Sequence, residues 1–137
     1  MSIGIGAYAK KVCEDGGTVL YSYGGYNLNE PEYRNNERIS DGNILIQKEC
    51  FIEPELHTKI KKMPSGRKKL ITKIVPLEVD YGNFIIEGKI IVENCSNCWH
   101  KIMNELQIDM MACHLLYHIF QKYQIDGKIP EKIHYFV

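Results

Sequence analysis

At 137 residues, with 45% apolar and 25% charged side chains, the chain has the size and composition of one globular domain that can bury a core without disulfide or metal staples. Seventeen Lys and Arg balance seventeen Asp and Glu, so net charge selects neither a nucleic-acid nor a membrane partner, and no apolar run reaches the ~20 residues of a membrane span. The opening Met1 to Gly6 lacks the basic and apolar regions of a signal peptide, and the five cysteines follow no disulfide-framework spacing, so a cytoplasmic protein with reduced thiols is expected.

Gly and Asn clusters punctuate the first half at Glu14-Asp15-Gly16-Gly17, Gly24-Gly25, Asn35-Asn36 and Asp41-Gly42-Asn43. Between the first two, Thr18 to Tyr23 is β-branched and aromatic and predicts a strand after a hairpin turn. Tyr21 and Tyr23 share one side of that strand, as a core contribution or an exposed binding stripe, and the burial tendency of tyrosine favours the core. Asn29-Glu30-Pro31-Glu32 combines an acceptor, an early proline and an acid, which predicts a short helix through about Arg38. Asn43 to Ile46 predicts a second strand.

The 55–63 segment fits two periods, because Leu56, Thr58 and Ile60 alternate like a strand while Leu56, Ile60 and Met63 share a helical face. The turn chemistry of Met63-Pro64-Ser65-Gly66 and the strand-like run Leu70 to Val75 decide for a β-hairpin with a basic tip. Phe84-Ile85-Ile86 and Lys89 to Glu93 predict further strands on either side of Glu87-Gly88. The period then changes: Ala112, Leu115, Leu116, Ile119, Phe120 and Tyr123 recur at helical spacing, with Asp109 as N-cap and Asp126-Gly127 as the stop. Ile133 to Val137 predicts a final strand. Strands joined by tight turns and followed by a helix imply the α+β class. The expected architecture is a single domain over 1–137, with an antiparallel sheet built from hairpins packed against a C-terminal helix and a short final strand.

Two clusters carry chemistry. Cys95 and Cys98, followed after fifteen residues by His114 and His118, have the C-x2-C and H-x3-H spacing of a tetrahedral zinc site. On the helix, both histidines point away from the Leu115, Leu116 and Ile119 stripe, on a side shared with Met110, Met111 and Tyr117. The helix is therefore apolar over most of its circumference and calls for a second cover, either the Cys95 to His100 segment or another subunit. Leu115 stands where a metalloprotease base would be, so zinc here would be structural. The simpler reading gives the cysteines and histidines packing and hydrogen-bonding roles. A thiol redox site is a third reading, since Cys95 follows a strand and would gain a lowered pKa if a helix began there.

The second cluster is Lys59, Lys61, Lys62, Arg67, Lys68, Lys69 and Lys73, uninterrupted by an acid from His57 to Val75. The preceding Glu14 to Glu55 holds nine acids against Arg34, Arg38 and Lys48, so the neutral total conceals a charge separation. The hairpin reads as a solvated strand edge, as a surface for an acidic protein, or as a phosphate-tracking patch for nucleic acid, the last without the interleaved aromatics that stack bases. Dinucleotide, Walker A and G-x-S-x-G motifs are absent.

These features point to a non-enzymatic protein-binding domain of antagonist, immunity or adaptor type, the antagonist or immunity version being an analogy by size and class. Its partner surface is the basic hairpin or the second face of the C-terminal helix, the latter also serving a homo-oligomer. The alternatives are a zinc-stabilised nucleic-acid-binding module and a cysteine-dependent enzyme or redox protein.

Overall fold

The structure is a computed structural model that describes residues 4–137; Met1 to Ile3, part of the segment read above for a leader, lie outside the described residues. In chain order its elements are β1 (Ile5–Glu14), β2 (Thr18–Asn27), β3 (Gly42–Gln47), β4 (Glu55–Lys62), β5 (Lys68–Val75), α1 (Tyr81–Ile86) and β6 (Ile90–Glu93). Then come β7 (Lys101–Ile102), β8 (Ile108–Asp109), α2 (Met110–Asp126) and β9 (Lys132–Phe136). The fold is α+β: an antiparallel sheet in the order β6-β3-β2-β1-β9, with α2 packed on one face.

Local chemistry explains why the sheet starts where it does. Asp15 folds the β1–β2 turn by accepting from the Gly17 and Thr18 N–H groups at 2.8 and 2.7 Å, the Asx arrangement that lets a short acid stand in for backbone. Alternation then sorts the faces. Ala7, Ala9, Val19, Tyr21, Tyr23, Ile44 and Ile46 all turn inward and are buried. Small Ala7 and Ala9 leave room for α2, which contributes Met111, Ala112, Leu115, Leu116, Ile119 and Phe120 to the same core. Both core tyrosines keep their hydroxyls satisfied, Tyr21 donating to the Pro130 carbonyl at 2.6 Å and Tyr23 to Asp109 at 2.9 Å.

Asp109 caps α2 by accepting from the Met111 N–H at 2.9 Å. Gly127, at φ 75°, ends the helix by donating to the Tyr123 carbonyl at 2.8 Å. On the second face of α2, Met111 is buried and His114 and His118 lie against Tyr135 of β9, while Tyr117 is exposed. The Gln124 amide exchanges both its hydrogen bonds with the Leu77 backbone, and Phe51 packs on Phe120 and Tyr123 at ring separations of 5.2 and 5.1 Å. The large apolar side chains left exposed on the helix are Tyr117 and Ile125.

Three local expectations differ from what forms. The helix predicted from Pro31 to about Arg38 is only a 3-10 turn over Pro31–Tyr33, because Asn35 and Arg38 take left-handed φ values of 52° and 53° that no right-handed helix accommodates. Phe84-Ile85-Ile86 lies in α1 instead of a strand. Asp80 caps that helix by accepting from the Asn83 N–H at 3.1 Å, and Gly88 at φ 80° follows it, so cap chemistry outweighs the β-propensity of Phe and Ile. Finally, the residues after Cys95 form a turn in which Cys98 N–H donates to the Cys95 carbonyl at 3.3 Å. No helix therefore begins at Cys95.

Candidate binding surfaces

β4 and β5 form a two-stranded antiparallel arm of their own, separate from the main sheet. Its tip closes as the sequence predicts: Gly66 takes φ 86° and donates to the Met63 carbonyl at 2.9 Å, while Met63 N–H donates to Arg67 at 2.7 Å. Every residue from Glu55 to Ile74 is exposed, and none belongs to the core.

Register gives the arm two unlike faces. Leu56 pairs with Ile74, Thr58 with Thr72 and Ile60 with Leu70, so these six side chains line one face, which ends in Lys62 and Lys68 at the tip. The other face carries His57 opposite Lys73, Lys59 opposite Ile71 and Lys61 opposite Lys69. Leu56, Ile60 and Leu70 are each at least 65% exposed, although alternation of this kind normally marks a face that is packed. Covering each of them would contribute about 1–2 kcal/mol. The seven cations face a single acid within the arm, Glu55, which pairs with His57 at 2.9 Å. Just beyond the arm's root, Pro76, Leu77, Val79, Tyr81, Tyr117 and Phe120 line a mainly apolar groove of about 380 Å³.

The cysteines and histidines divide between two places. Cys95 sits in a buried network around Asp109: its N–H donates to the Tyr23 hydroxyl at 3.0 Å and its Sγ to Asp109 Oδ2 at 3.5 Å. Cys98 is half-buried and directs its thiol at the His100 carbonyl at 3.8 Å. Burial first, and the Asp109 charge second, push the Cys95, Cys98 and Cys113 thiols up to about 11, which opposes the thiolate that redox or nucleophilic chemistry needs.

His114 and His118 lie elsewhere, against Tyr135 of β9, with ring centroids 4.4 and 5.4 Å away and His114 nearly parallel to the phenol. Burial, and to a lesser degree His118, lower the His114 pKa. Tyr23 is on β2 and Tyr135 on β9, two strands away, a separation of about 10 Å at the usual strand spacing. The structure thus brings Cys95 to Asp109 and the two histidines to Tyr135, and does not gather the four together. Among the described residues, no three His, Cys, Asp or Glu side chains are grouped so as to hold a metal ion.

Compared with known proteins, the chain matches no family model, no curated protein and no solved structure. Among the described residues, no helix is long and apolar enough to cross a membrane.

Proposed function

We propose that the protein is a non-enzymatic binding domain, an antagonist or adaptor, whose working surface is the β4–β5 arm. The partner is a protein with an apolar patch rimmed by acidic residues. The observation that carries this reading is the uncovered apolar face of Leu56, Ile60, Leu70 and Ile74 on an arm whose opposite face is basic. Exposed apolar surface of this kind is costly to keep and marks an interaction site, while the surrounding lysines select an acidic rim and speed the encounter.

Charge also decides between occupants. Two arms packed face to face would bring seven Lys and Arg from each chain together against one acid apiece, so arm-to-arm pairing is opposed by like charge. Because the backbone edges of both arm strands are unpaired, the partner can also add a strand.

The test is site-specific photo-crosslinking from position 70 in cells, followed by reconstitution of the crosslinked protein with the purified chain. The expected result is a 1:1 complex whose affinity falls with salt and drops about tenfold or more in an Ile60→Lys, Leu70→Lys variant that melts like wild type. A complex indifferent to that variant would sink the proposal. A dimer of this chain in sedimentation, abolished by the same variant, would replace the foreign partner with a second copy.

A further inference from the structure

The outer face of the main sheet, turned away from α2, holds a concavity of about 850 Å³ between β9, β1, β2 and the 28–40 loop. Register builds its floor. Tyr8 stands directly opposite His134, and Lys10 directly opposite Lys132, across β1 and β9. Alternation places all four on the face that Ala7 and Ala9 do not occupy. Tyr26 of β2 stands opposite Gly6, and a Cβ at Gly6 would collide with its hydroxyl, so the missing side chain makes room for the ring. Tyr8 and Tyr26 are stacked at 6.4 Å and 25°, with His134 at 6.5 and 6.2 Å from them.

The wall is the loop, fixed by one side chain. Asn35, in its left-handed conformation, shares its amide N–H groups among the Tyr8 hydroxyl at 2.9 Å, the Gly25 carbonyl at 3.1 Å and the Ile39 carbonyl at 3.0 Å. It also accepts from the Ile39 N–H at 2.9 Å. Gly24 permits the contact, since a Cβ there would strike the Ile39 carbonyl. Held this way, the loop brings Arg34 and Arg38 to the lining.

Four cations line this concavity, Lys10, Arg34, Arg38 and Lys132, and no Asp or Glu does. Among the described residues, none of the four forms a salt bridge. Like charges directly opposite on neighbouring strands are destabilising, so Lys10 facing Lys132 is a cost that a bound anion would relieve. A free inorganic anion would leave the three rings unused, and an apolar ligand would leave the cations unpaired.

We infer that this concavity is a binding site for a nucleoside phosphate. The base lies on the Tyr8, Tyr26 and His134 rings, as bases do on aromatic platforms, and the phosphates meet Lys10, Lys132 and Arg38. Asn36, Ser22 and Ser40 supply the neutral polar groups of the lining. The volume falls within the range of small-molecule sites. This site is separate from the arm and does not depend on the reading given to it.

The test is calorimetric titration of the full chain with ATP, AMP, adenosine, pyrophosphate and a short oligo-dT. ATP is expected to bind more tightly than adenosine or pyrophosphate, because adenosine leaves the cations unpaired and pyrophosphate leaves the rings unused. A Lys10→Ser, Lys132→Ser variant should weaken ATP by about tenfold or more and leave adenosine unchanged. That variant removes a repulsive exposed pair and is expected to melt no lower than wild type, so lost affinity cannot be lost folding. No ATP binding up to millimolar concentration, equal binding of pyrophosphate, or ATP affinity indifferent to the variant would each overturn the assignment. Oligo-dT binding more tightly than ATP, and lost in the same variant, would overturn the free-nucleotide source in favour of single-stranded nucleic acid.

Discussion

Asp109 does three jobs from a position 1% exposed: it caps α2 at Met111, accepts from the Tyr23 hydroxyl and receives the Cys95 thiol. Removing it leaves a helix end uncapped, worth about 1 kcal/mol, and a buried phenol without its acceptor, worth about 1–3 kcal/mol more. Asp109→Ala is accordingly expected to lower the unfolding free energy by about 2–4 kcal/mol, read from the urea midpoint at unchanged slope; a loss within error would mean the network carries no stability. The thiols make an alkaline prediction. Burial pushes Cys50, Cys95, Cys98 and Cys113 from the ordinary 9.0 up to about 11, so the folded chain holds those protons more tightly than the unfolded chain. Their contribution is complete below about pH 9 and is lost as pH rises toward 11. The urea midpoint should fall across that window, and less steeply in a Cys95→Ala, Cys113→Ala variant. A midpoint that stays level to pH 11 would show that these shifts are absent.

At the scale of elements, what could be read from the sequence was whatever local chemistry decides alone. α2 announces itself through helical periodicity, the Asp109 cap and the Gly127 stop, and it forms over Met110–Asp126. The hairpin was legible from its turn and alternation, and β4 and β5 occupy Glu55–Lys62 and Lys68–Val75. Its exposure was not, because Leu56, Thr58 and Ile60 alternate just as they would over a core; only the absence of a covering element distinguishes the two, and that is a tertiary fact. The zinc spacing failed to foretell proximity for a related reason. Sequence separation fixes His114 and His118 to one helical face, but which strand that face meets is settled by the sheet order, and it meets β9. The outer concavity was the least legible feature. Tyr8, Tyr26, Arg38 and His134 come from four separate segments, and neither their spacing nor their types form a motif. The clue was the glycine pair Gly24-Gly25 on a strand otherwise rich in tyrosine, whose close approach to the loop becomes meaningful only in three dimensions.

Across the whole molecule, neutrality is a balance between two bodies of opposite sign. The arm holds seven Lys and Arg against one acid, and the rest of the chain ten Lys and Arg against sixteen acids. Because the arm is exposed throughout and outside the core, its charge is presented to solvent as a separate pole, and charged resins respond to such a pole even when the total is zero. The chain should therefore bind a cation exchanger at neutral pH. Joining Glu55 to Val75 through an Asn-Gly turn would excise the arm at a point where its strands are paired neighbours, within the span such a turn closes. The shortened chain keeps ten Lys and Arg against all seventeen acids and should pass through the cation exchanger and bind an anion exchanger. Since no core contact is removed, its unfolding free energy should change by less than about 1 kcal/mol. Retention that survives excision would place the basic pole elsewhere, on the Lys10, Arg34, Arg38 and Lys132 surface. A large loss of stability would mean the arm is structural, and its apolar face a folding contact instead of a docking one.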